Sequence, residues 1–344
     1  MNLRLPLPGT IHLLGSHHQR SEMQVVVTGA AGFIGSHLAE RLARDGHHVV
    51  GIDNFAPFYD RSQKRRNAER LANLGITIHA ADLVTDPLAP ILSDVDALFH
   101  LAAQPGLSPS TTPEAFTRNN VRATERVVAH LDDHPTLRAF VYASSSSVYG
   151  ADATVAEDGP LAPTSIYGET KLEGERIIDA ASDHASWDAC TLRLFSVYGP
   201  RERPDKLIPK AARCAIKCEP FPLFRGSEHH RRSFTYVGDA VDGLVAALDR
   251  FDQCAGETIN VGTPRSVSTM EVLRCITDVV GRRLCIDRLP PREGDQQRTE
   301  ARIDRARRLL DFEPRTSLLE GIRAEVDWIL QVLDPRTVTP CGLS

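Results

Sequence analysis

Short apolar runs alternate with amphipathic segments along most of the chain, and this alternation limits the possible folds more than any other feature. The runs are QVVVT (24–28), HVVGID (48–53), ITIHA (76–80), ALFHLA (97–102), AFVYAS (139–144), CTLRLF (190–195) and TINVG (258–262). A helical stretch follows the first run to about Arg44, and amphipathic segments lie at 113–134, 167–186, 206–217 and 238–250. Such alternation is typical of parallel strands joined by crossover helices. We therefore predict an α/β fold built on a doubly wound parallel sheet.

Composition excludes several classes of protein. The 344 residues carry a formal net charge of −5, so the chain lacks the bulk positive charge that favours nucleic acid or an anionic membrane surface. No apolar run approaches the roughly 18 residues that a membrane-spanning helix needs. The seven cysteines are scattered without paired C-x-x-C spacing, which fits a reducing cytoplasm. We expect a cytoplasmic protein that binds neither nucleic acid nor membrane and holds no metal.

The ends of the chain differ from its middle. Residues 1–22 place two prolines and a glycine inside their only apolar stretch, which makes a poor signal peptide. We expect a flexible extension there, with Met23 opening the folded part, and a tail at 336–344. After about Gly199, prolines interrupt the chain and arginines cluster at 225–232 and 282–308. This change predicts a smaller, more irregular region laid against the sheet.

The turn after the first run, TGAAGFIG, contains Gly29, Gly32 and Gly35 around Phe33 and Ile34. Glycines at these places allow a tight turn and a close approach of the backbone to a pyrophosphate at a helix amino end. Asp53 ends the second run, where its carboxylate can accept both hydroxyls of an adenosine ribose. It would repel a 2′-phosphate, and the next residues, Asn54 and Phe55, offer no arginine. The pattern predicts NAD rather than NADP.

A second motif, YGETK (167–171), places Tyr167 and Lys171 on one helix face. A nearby ammonium favours the phenolate and makes the tyrosine a better base. Ser145 follows the run AFVYAS, at the sheet edge where open α/β sheets bind their ligands. Together the hydroxyl, phenol and ammonium predict a proton relay that works with a nicotinamide, which exchanges a hydride.

These motifs, together with HLAAQ (100–104) and SSSSVYG (144–150), resemble the extended short-chain dehydrogenase/reductase family of NAD-dependent sugar-nucleotide epimerases and dehydratases. The resemblance runs from Met23 to about residue 330. It implies a Rossmann fold, a discontinuous substrate domain and tightly bound NAD. It implies that Tyr167 is the base, that Lys171 favours the phenolate of Tyr167, and that Ser145 relays the proton. By position in matching motifs, further cofactor contacts are implied at Asn54, Asp82, Leu83, Leu101, Ala102, Ala103, Asn120 and Ser144.

The serine run also bears on the reaction. Dehydratases of this family carry an acidic residue just after the catalytic hydroxyl, and UDP-glucuronate decarboxylases have a glutamate in that turn, whereas this chain has Ser146 and Ser147. We therefore predict epimerisation at C4 through a transient 4-keto sugar. Hydroxyls in place of a carboxylate suit an acidic sugar, because they donate hydrogen bonds to it without repelling it.

Four segments are similar to the UDP-glucuronate 4-epimerase subfamily: DNFAPFYDRSQKRR (53–66), HLAAQPG (100–106), VYASSSSVYG (141–150) and VYGPRERPD (197–205). The resemblance implies that Ser196 and Arg203 hold the sugar acid. The subfamily has a threonine at position 196 and a Trp-Gly pair where this chain has Arg201 and Glu202. At the nucleotide end, Arg232 and Arg292 are implied as diphosphate contacts and Asp295 as a ribose contact, with Lys206 and Asn260 as weaker candidates.

The resemblance also implies two domains and a homodimer. The NAD-binding domain is expected at 23–198 and about 235–262, and the α/β nucleotide-sugar domain at about 199–234 and 263–335. The homodimer is expected through the helices near 113–134 and 167–186. Three other functions stay open: a 4-epimerase of neutral UDP-glucose or UDP-N-acetylglucosamine, a UDP-sugar 5,6-dehydratase, and an NAD sensor without turnover. The first would leave Arg203 unused.

Overall fold

The computed structural model describes residues 22–106, 111–291 and 296–333. Its strands are β1 Gln24–Thr28, β2 His48–Asp53, β3 Thr77–Ala80, β4 Ala97–His100, β5 Ala139–Ser145, β6 Asp152–Ala153, β7 Asp188–Leu194, β8 Val197–Tyr198, β9 Phe221–Phe224, β10 Arg231–Arg232, β11 Thr235–Tyr236, β12 Thr258–Val261, β13 Val267–Ser268, β14 Ile286–Leu289 and β15 Arg298–Thr299. Seven of them form one sheet in the order β12-β7-β5-β4-β1-β2-β3, and every pairing in it is parallel. The predicted doubly wound parallel sheet is confirmed.

The helices lie between these strands and at the carboxyl end of the chain. They are α1 Phe33–Arg44, α2 Arg61–Ala72, α3 Ala89–Leu92, α4 Pro113–Phe116, α5 Ala123–Ala129, α6 Ile166–Ser182, α7 Leu207–Lys217, α8 Val237–Asp249, α9 Phe251–Cys254, α10 Thr269–Val280, α11 Asp304–Leu310 and α12 Leu318–Val332. A π-helical turn, Thr117–Arg122, joins α4 to α5. The predicted segment 113–134 is therefore helical only to Ala129.

The apolar runs lie in the central sheet because helices cover both of its faces, which buries six of its strands on both sides. The edge strand β3 is largely exposed. One apolar cluster holds Leu38 of α1 and Leu244 of α8, and a second holds Leu131 and Ile178 of α6. The carboxyl ends of all seven strands meet at one edge of the sheet, as the parallel pairing requires. Ligands of open α/β sheets bind at that edge.

The region after Gly199 is more regular than predicted. Helices α7, α10 and α12 enclose a third apolar cluster that includes Ile208, Phe221, Ile276 and Ile329. Small sheets flank it, in the orders β13-β10-β15-β6, β11-β8 and β14-β9. The division into two domains stays a prediction. The predicted extension and tail lie outside the described residues, apart from Glu22.

Within the described ranges, no helix is long and apolar enough to cross a membrane, and no cluster of side chains has the makings of a metal site. The cysteines placed there are free thiols.

Candidate active site

One cavity runs along the carboxyl edge of the sheet and contains most of the residues that the sequence singled out. Those predicted to meet the cofactor and found in its lining are Gly29, Gly32, Phe33, Ile34, Gly35, Asp53, Asn54, Asp82, Leu83, Leu101, Ala102, Ala103, Ser144, Tyr167 and Lys171. Those predicted to meet the substrate are Ser145, Ser146, Ser147, Ser196, Arg203 and Arg232. Two other predicted contacts, Arg292 and Asp295, lie outside the described residues. The cavity thus contains both the predicted cofactor site and the predicted substrate site.

The glycine turn fits the pyrophosphate of a dinucleotide. A Cβ on Gly35 would lie 2.2 Å from the Gly29 carbonyl oxygen, and one on Gly29 would lie 3.0 Å from the Ala102 backbone. Side chains at these two positions are therefore excluded by the neighbouring backbone. Helix α1 begins directly after the turn, no side chain caps it, and its first residues, Phe33, Ile34 and Gly35, line the cavity. These residues would hold the anionic centre of NAD.

The adenosine end holds two acidic residues, each with a cationic partner that the sequence did not reveal. Asp53 accepts hydrogen bonds from the backbone N–H of Ala31 at 3.1 Å, and Lys64 of α2 lies 3.1 Å from its other oxygen. Asp82 accepts two hydrogen bonds from Arg118, at 3.0 and 3.1 Å. Asp53 Oδ1 also accepts from the backbone N–H of Phe55 at 2.8 Å, so Oδ2 keeps one lone pair for a ribose hydroxyl of NAD. Asp82 accepts four hydrogen bonds from protein groups.

Asn120 was predicted as a cofactor contact, but its side chain lies behind the cavity lining. Its Oδ1 accepts from the backbone N–H of Gln104 at 2.6 Å, and its Nδ2 donates to Thr170 Oγ1 at 2.9 Å. Asn120 is buried within the π-helical turn, which inserts it between the loop after β4 and helix α6. It braces the site instead of lining it.

Tyr167 and Ser145 lie together, as the motif predicted. Ser165 accepts from the backbone N–H of Gly168 and caps α6, which places Tyr167 in the first turn of that helix. The phenol and the Ser145 hydroxyl both line the cavity and lie close to each other. Burial raises the pKa of Tyr167 above that of a free phenol, and the neighbouring Ser145 hydroxyl and the charge of Arg203 act against this rise. The arrangement places the Tyr167 phenol, the Ser145 hydroxyl and the Arg203 guanidinium near one another in the cavity.

Lys171 lies one helical turn after Tyr167 and is almost fully buried. Its ammonium sits over the ring of Tyr142, 4.1 Å from the ring centre. Burial lowers the pKa of Lys171 to about 7, and the negative charge of Glu175 opposes this. The charged group that acts to lower the pKa of Tyr167 is thus Arg203. That Lys171 also lowers this pKa stays a prediction.

The four serines have different surroundings. Ser144 donates to Glu175, which in turn forms a buried ion pair with Arg193 at 2.7 Å. The Ser144 hydroxyl is therefore already bonded to a protein carboxylate. Ser147 donates its backbone N–H to Ser145 Oγ at 3.1 Å, and their hydroxyls lie 3.2 Å apart. The turn after β5 thus presents the hydroxyl of Ser145 beside that of Ser147, with Ser146 buried next to them.

Arg203 is buried, yet most of its guanidinium is unbonded. Its Nη2 donates to the Gly106 carbonyl oxygen at 2.6 Å, and its plane lies 4.9 Å from the ring centre of Phe58. Its Nε is 3.2 Å from Asp205, without hydrogen-bond geometry. Within the described ranges, Nε and Nη1 donate no hydrogen bond. A buried guanidinium whose Nη1 is unpaired is suited to a further carboxylate.

Glu202 and Lys206 also line the cavity, on either side of Arg203 along the chain. Burial raises the pKa of Glu202 to about 8 and lowers that of Lys206 to about 8, the latter with help from Arg203. Arg232 lies further along, where it donates to the Gln296 carbonyl oxygen at 3.1 Å. Lys206 was only a weak candidate in the sequence, and Glu202 had been noted only as a departure from a pattern. The other weak candidate, Asn260, is buried under Tyr149 and outside the lining.

Comparison with known proteins identifies the family. The model of the NAD dependent epimerase/dehydratase family matches residues 25–262. "UDP-glucuronate 4-epimerase 3" of Arabidopsis thaliana is 32% identical over 338 residues, covering 90% of this chain and 77% of that protein. A Bacillus subtilis (strain 168) protein described as an uncharacterized UDP-glucose epimerase is 36% identical over 312 residues, covering 89% of this chain and 98% of the relative.

A solved structure agrees with these relatives. The UDP-glucuronic acid 4-epimerase from Bacillus cereus, in complex with UDP-glucuronic acid and NAD, superposes with a TM-score of 0.86 at 34% identity. The match covers 90% of this chain and 100% of that one. The family model covers more than half of the chain and both curated relatives exceed 30% identity. This chain therefore belongs to the NAD-dependent epimerase/dehydratase family.

Proposed function

We propose that the protein is an NAD-dependent UDP-sugar 4-epimerase that interconverts UDP-glucuronate and UDP-galacturonate. The observation that carries the choice of sugar is Arg203, a buried arginine of the cavity lining whose Nη1 donates no hydrogen bond among the described residues. A sugar carboxylate beside the reacting carbon would pair with this guanidinium. The resemblance to structures and relatives of the same activity supports the proposal.

The residues of the chain divide the chemistry between them. Bound NAD supplies the acceptor and donor of the hydride. Tyr167, as the phenolate, removes the proton of the sugar 4-hydroxyl, and the neighbouring Ser145 hydroxyl gives that proton a path. After the 4-keto sugar has rotated so that its opposite face receives the hydride, the same phenol returns the proton to the oxygen at C4. Arg203 and the hydroxyls of Ser147 and Ser196 hold the carboxylate, and Arg232 holds the diphosphate.

Neutral sugars are the strongest alternative, because one relative is described as a UDP-glucose epimerase. A neutral hexose would leave Nη1 of Arg203 unpaired in a buried place, which is unfavourable. Dehydration is less favoured, because the turn after β5 offers hydroxyls and no carboxylate to the substrate. A sensor without turnover is disfavoured by the Ser145–Tyr167 contact. The homodimer and the cytoplasmic location are part of this proposal.

Proton NMR of UDP-glucuronate with purified protein, without added reductant, tests the proposal. We expect a galacturonate anomeric signal that grows to an equilibrium mixture. In D2O the product should carry no deuterium at C4, because that hydrogen moves as a hydride and not as an exchangeable proton. Persistence of the starting signals alone would contradict the proposal, and deuterium at C5 would indicate dehydratase-like proton removal instead.

Affinity for the acidic substrate should fall as the pH rises above about 8. In that range Lys206 loses its proton and Glu202 becomes ionised, since the pKa of each lies at about 8. The cavity then loses positive charge next to an anionic ligand. We expect the Kd of UDP-glucuronate, measured by calorimetry, to rise by up to about tenfold between pH 8 and 9.5. A Lys206→Met, Glu202→Gln protein serves as the control and should show a flatter profile, whereas an equally steep profile would contradict the assignment.

A further inference from the structure

Arg201 lies two residues before Arg203 and has an unusual backbone. Its φ is +71°, in the left-handed region that residues with a Cβ rarely adopt. Its side chain is nevertheless buried, with 7% of the residue exposed. A strained backbone persists where the surrounding contacts determine it. The contacts of the Arg201 side chain therefore show how the loop around it is held.

The guanidinium of Arg201 reaches helix α1. Its Nη2 lies 2.8 Å from Glu40 Oε1, and its Nη1 donates to Ser36 Oγ at 3.1 Å. Ser36 Oγ in turn donates to the Phe33 carbonyl oxygen at 3.0 Å. Phe33 is the first residue of α1 and lines the cavity where the pyrophosphate of NAD is expected. Arg201 therefore joins its loop to the amino end of this helix.

The backbone of the loop is held from a second side. Gln63 of α2 is buried, and its Nε2 donates to the carbonyl oxygens of Arg201 and Glu202, at 2.5 and 3.3 Å. These bonds fix two consecutive peptides of the segment 199–206 between β8 and α7. The next residue is Arg203, which turns toward the cavity. Its position is thus set by anchors that lie immediately before it in the chain.

We propose that Arg201 is a positioning residue: its ion pair with Glu40 holds the loop of residues 199–206 on helix α1 so that Arg203 faces the sugar carboxylate. This rests on the proposed use of Arg203 for the acidic sugar. Arg201 stands where the similar subfamily has tryptophan, so this chain anchors the same loop with a charge pair. Removing Glu40 would leave the buried guanidinium of Arg201 without its ion pair, so the loop would shift to relieve it. Removing Arg201 would detach the loop from α1, while Glu40 would keep its pairs with Arg70 and Arg44.

The test compares the binding of two ligands to Arg201→Met, since UDP alone has no carboxylate to place against Arg203. We expect the Kd of UDP-glucuronate, measured by calorimetry, to rise at least tenfold, and the Kd of UDP to change by less than about twofold. The turnover number should fall much less than KM rises. Equal weakening of both ligands would overturn the proposal, because it would indicate general damage to the fold.

Three further variants keep the test decisive. Arg70→Met is the matched control: Arg70 also pairs with Glu40, but from α2 and without touching the loop, so its UDP-glucuronate affinity should stay near that of the wild type. Glu40→Gln removes the pair from the other side and should reproduce the effect of Arg201→Met. Arg201→Lys retains a charge for Glu40 and should recover part of the lost affinity. If the Arg70→Met protein bound UDP-glucuronate as weakly as the Arg201→Met protein, the proposal would be wrong.

A double-mutant cycle separates this inference from the proposed function. If Arg201 acts through Arg203, then Arg201→Met should have little further effect on UDP-glucuronate binding once Arg203→Met is present. Additive effects would overturn the positioning role. If Arg203→Met alone leaves UDP-glucuronate binding unchanged, the proposed function fails. If Arg203→Met weakens binding and Arg201→Met does not, only the positioning role fails.

Discussion

Replacing Tyr167 by phenylalanine is expected to lower kcat for UDP-glucuronate by about 10²- to 10⁴-fold, the range for loss of a general acid–base group. The phenol lines the cavity beside Ser145, where a sugar hydroxyl would reach both groups. The ring itself is retained in the variant. It packs against Phe116, with ring centres 6.4 Å apart, and against Gly106, whose Cβ position lies 2.9 Å from it.

The fold and the binding of the substrate should survive that change, because only one oxygen is lost. Calorimetry should therefore give a Kd for UDP-glucuronate within about threefold of wild type, and the midpoint of thermal unfolding should be similar. Ser145→Ala should reduce kcat less, since water can replace a hydroxyl that relays a proton. A Tyr167→Phe enzyme that retained more than about a tenth of the activity would exclude the phenol as the base.

Replacing Arg203 by methionine is expected to lower kcat/KM for UDP-glucuronate by roughly 30-fold or more. The variant keeps an unbranched side chain at this position but removes the guanidinium that lies over Phe58, so the sugar carboxylate loses its partner. Loss of one member of a buried charge pair costs about 2–5 kcal/mol, and each 1.4 kcal/mol is about a factor of ten. The change should appear mainly in KM, because the carboxylate is charged in the ground state and in the transition state alike.

Neutral substrate and a distant arginine provide the controls for Arg203. Activity on UDP-glucose should be unchanged or improved, because an unmatched buried guanidinium has been removed. Arg176→Met removes an exposed arginine that pairs with Glu173 on α6, and it should leave both activities as they are. A parallel loss for both sugars in Arg203→Met would show that Arg203 supports the site generally and does not select the acid.

The central sheet could be predicted from the sequence because its signals are local. Buried parallel strands are continuous apolar runs, and the glycine turn combines three small residues with an acid at the end of the next strand. Helix α2 carried no such signal: its buried residues include Gln63 and Asn67, so its apolar periodicity is weak. Helices α10 and α12 did carry one, since Ser268 with Glu271 and Ser317 with Glu320 form capping boxes.

Within the candidate site, motif residues were predictable and their partners were not. Lys64 reaches Asp53 from another helix, and Arg201 reaches Glu40 across 161 positions of the chain, so neither contact leaves a local pattern. The bracing position of Asn120 follows from the π-helical turn, which sequence periodicity does not reveal. Glu202 and Lys206 acquire their perturbed pKa values from burial, which depends on how the loop packs against its surroundings.

A competition experiment tests the preference for an acidic sugar most directly. Equal concentrations of UDP-glucuronate and UDP-glucose are mixed with the wild-type enzyme, and the initial rates of appearance of both epimers are followed by proton NMR. The ratio of the two rates equals the ratio of the kcat/KM values. We predict a ratio of at least about 30 in favour of UDP-glucuronate, from the cost of an unmatched Arg203. A ratio near one, or in favour of UDP-glucose, would contradict the assignment.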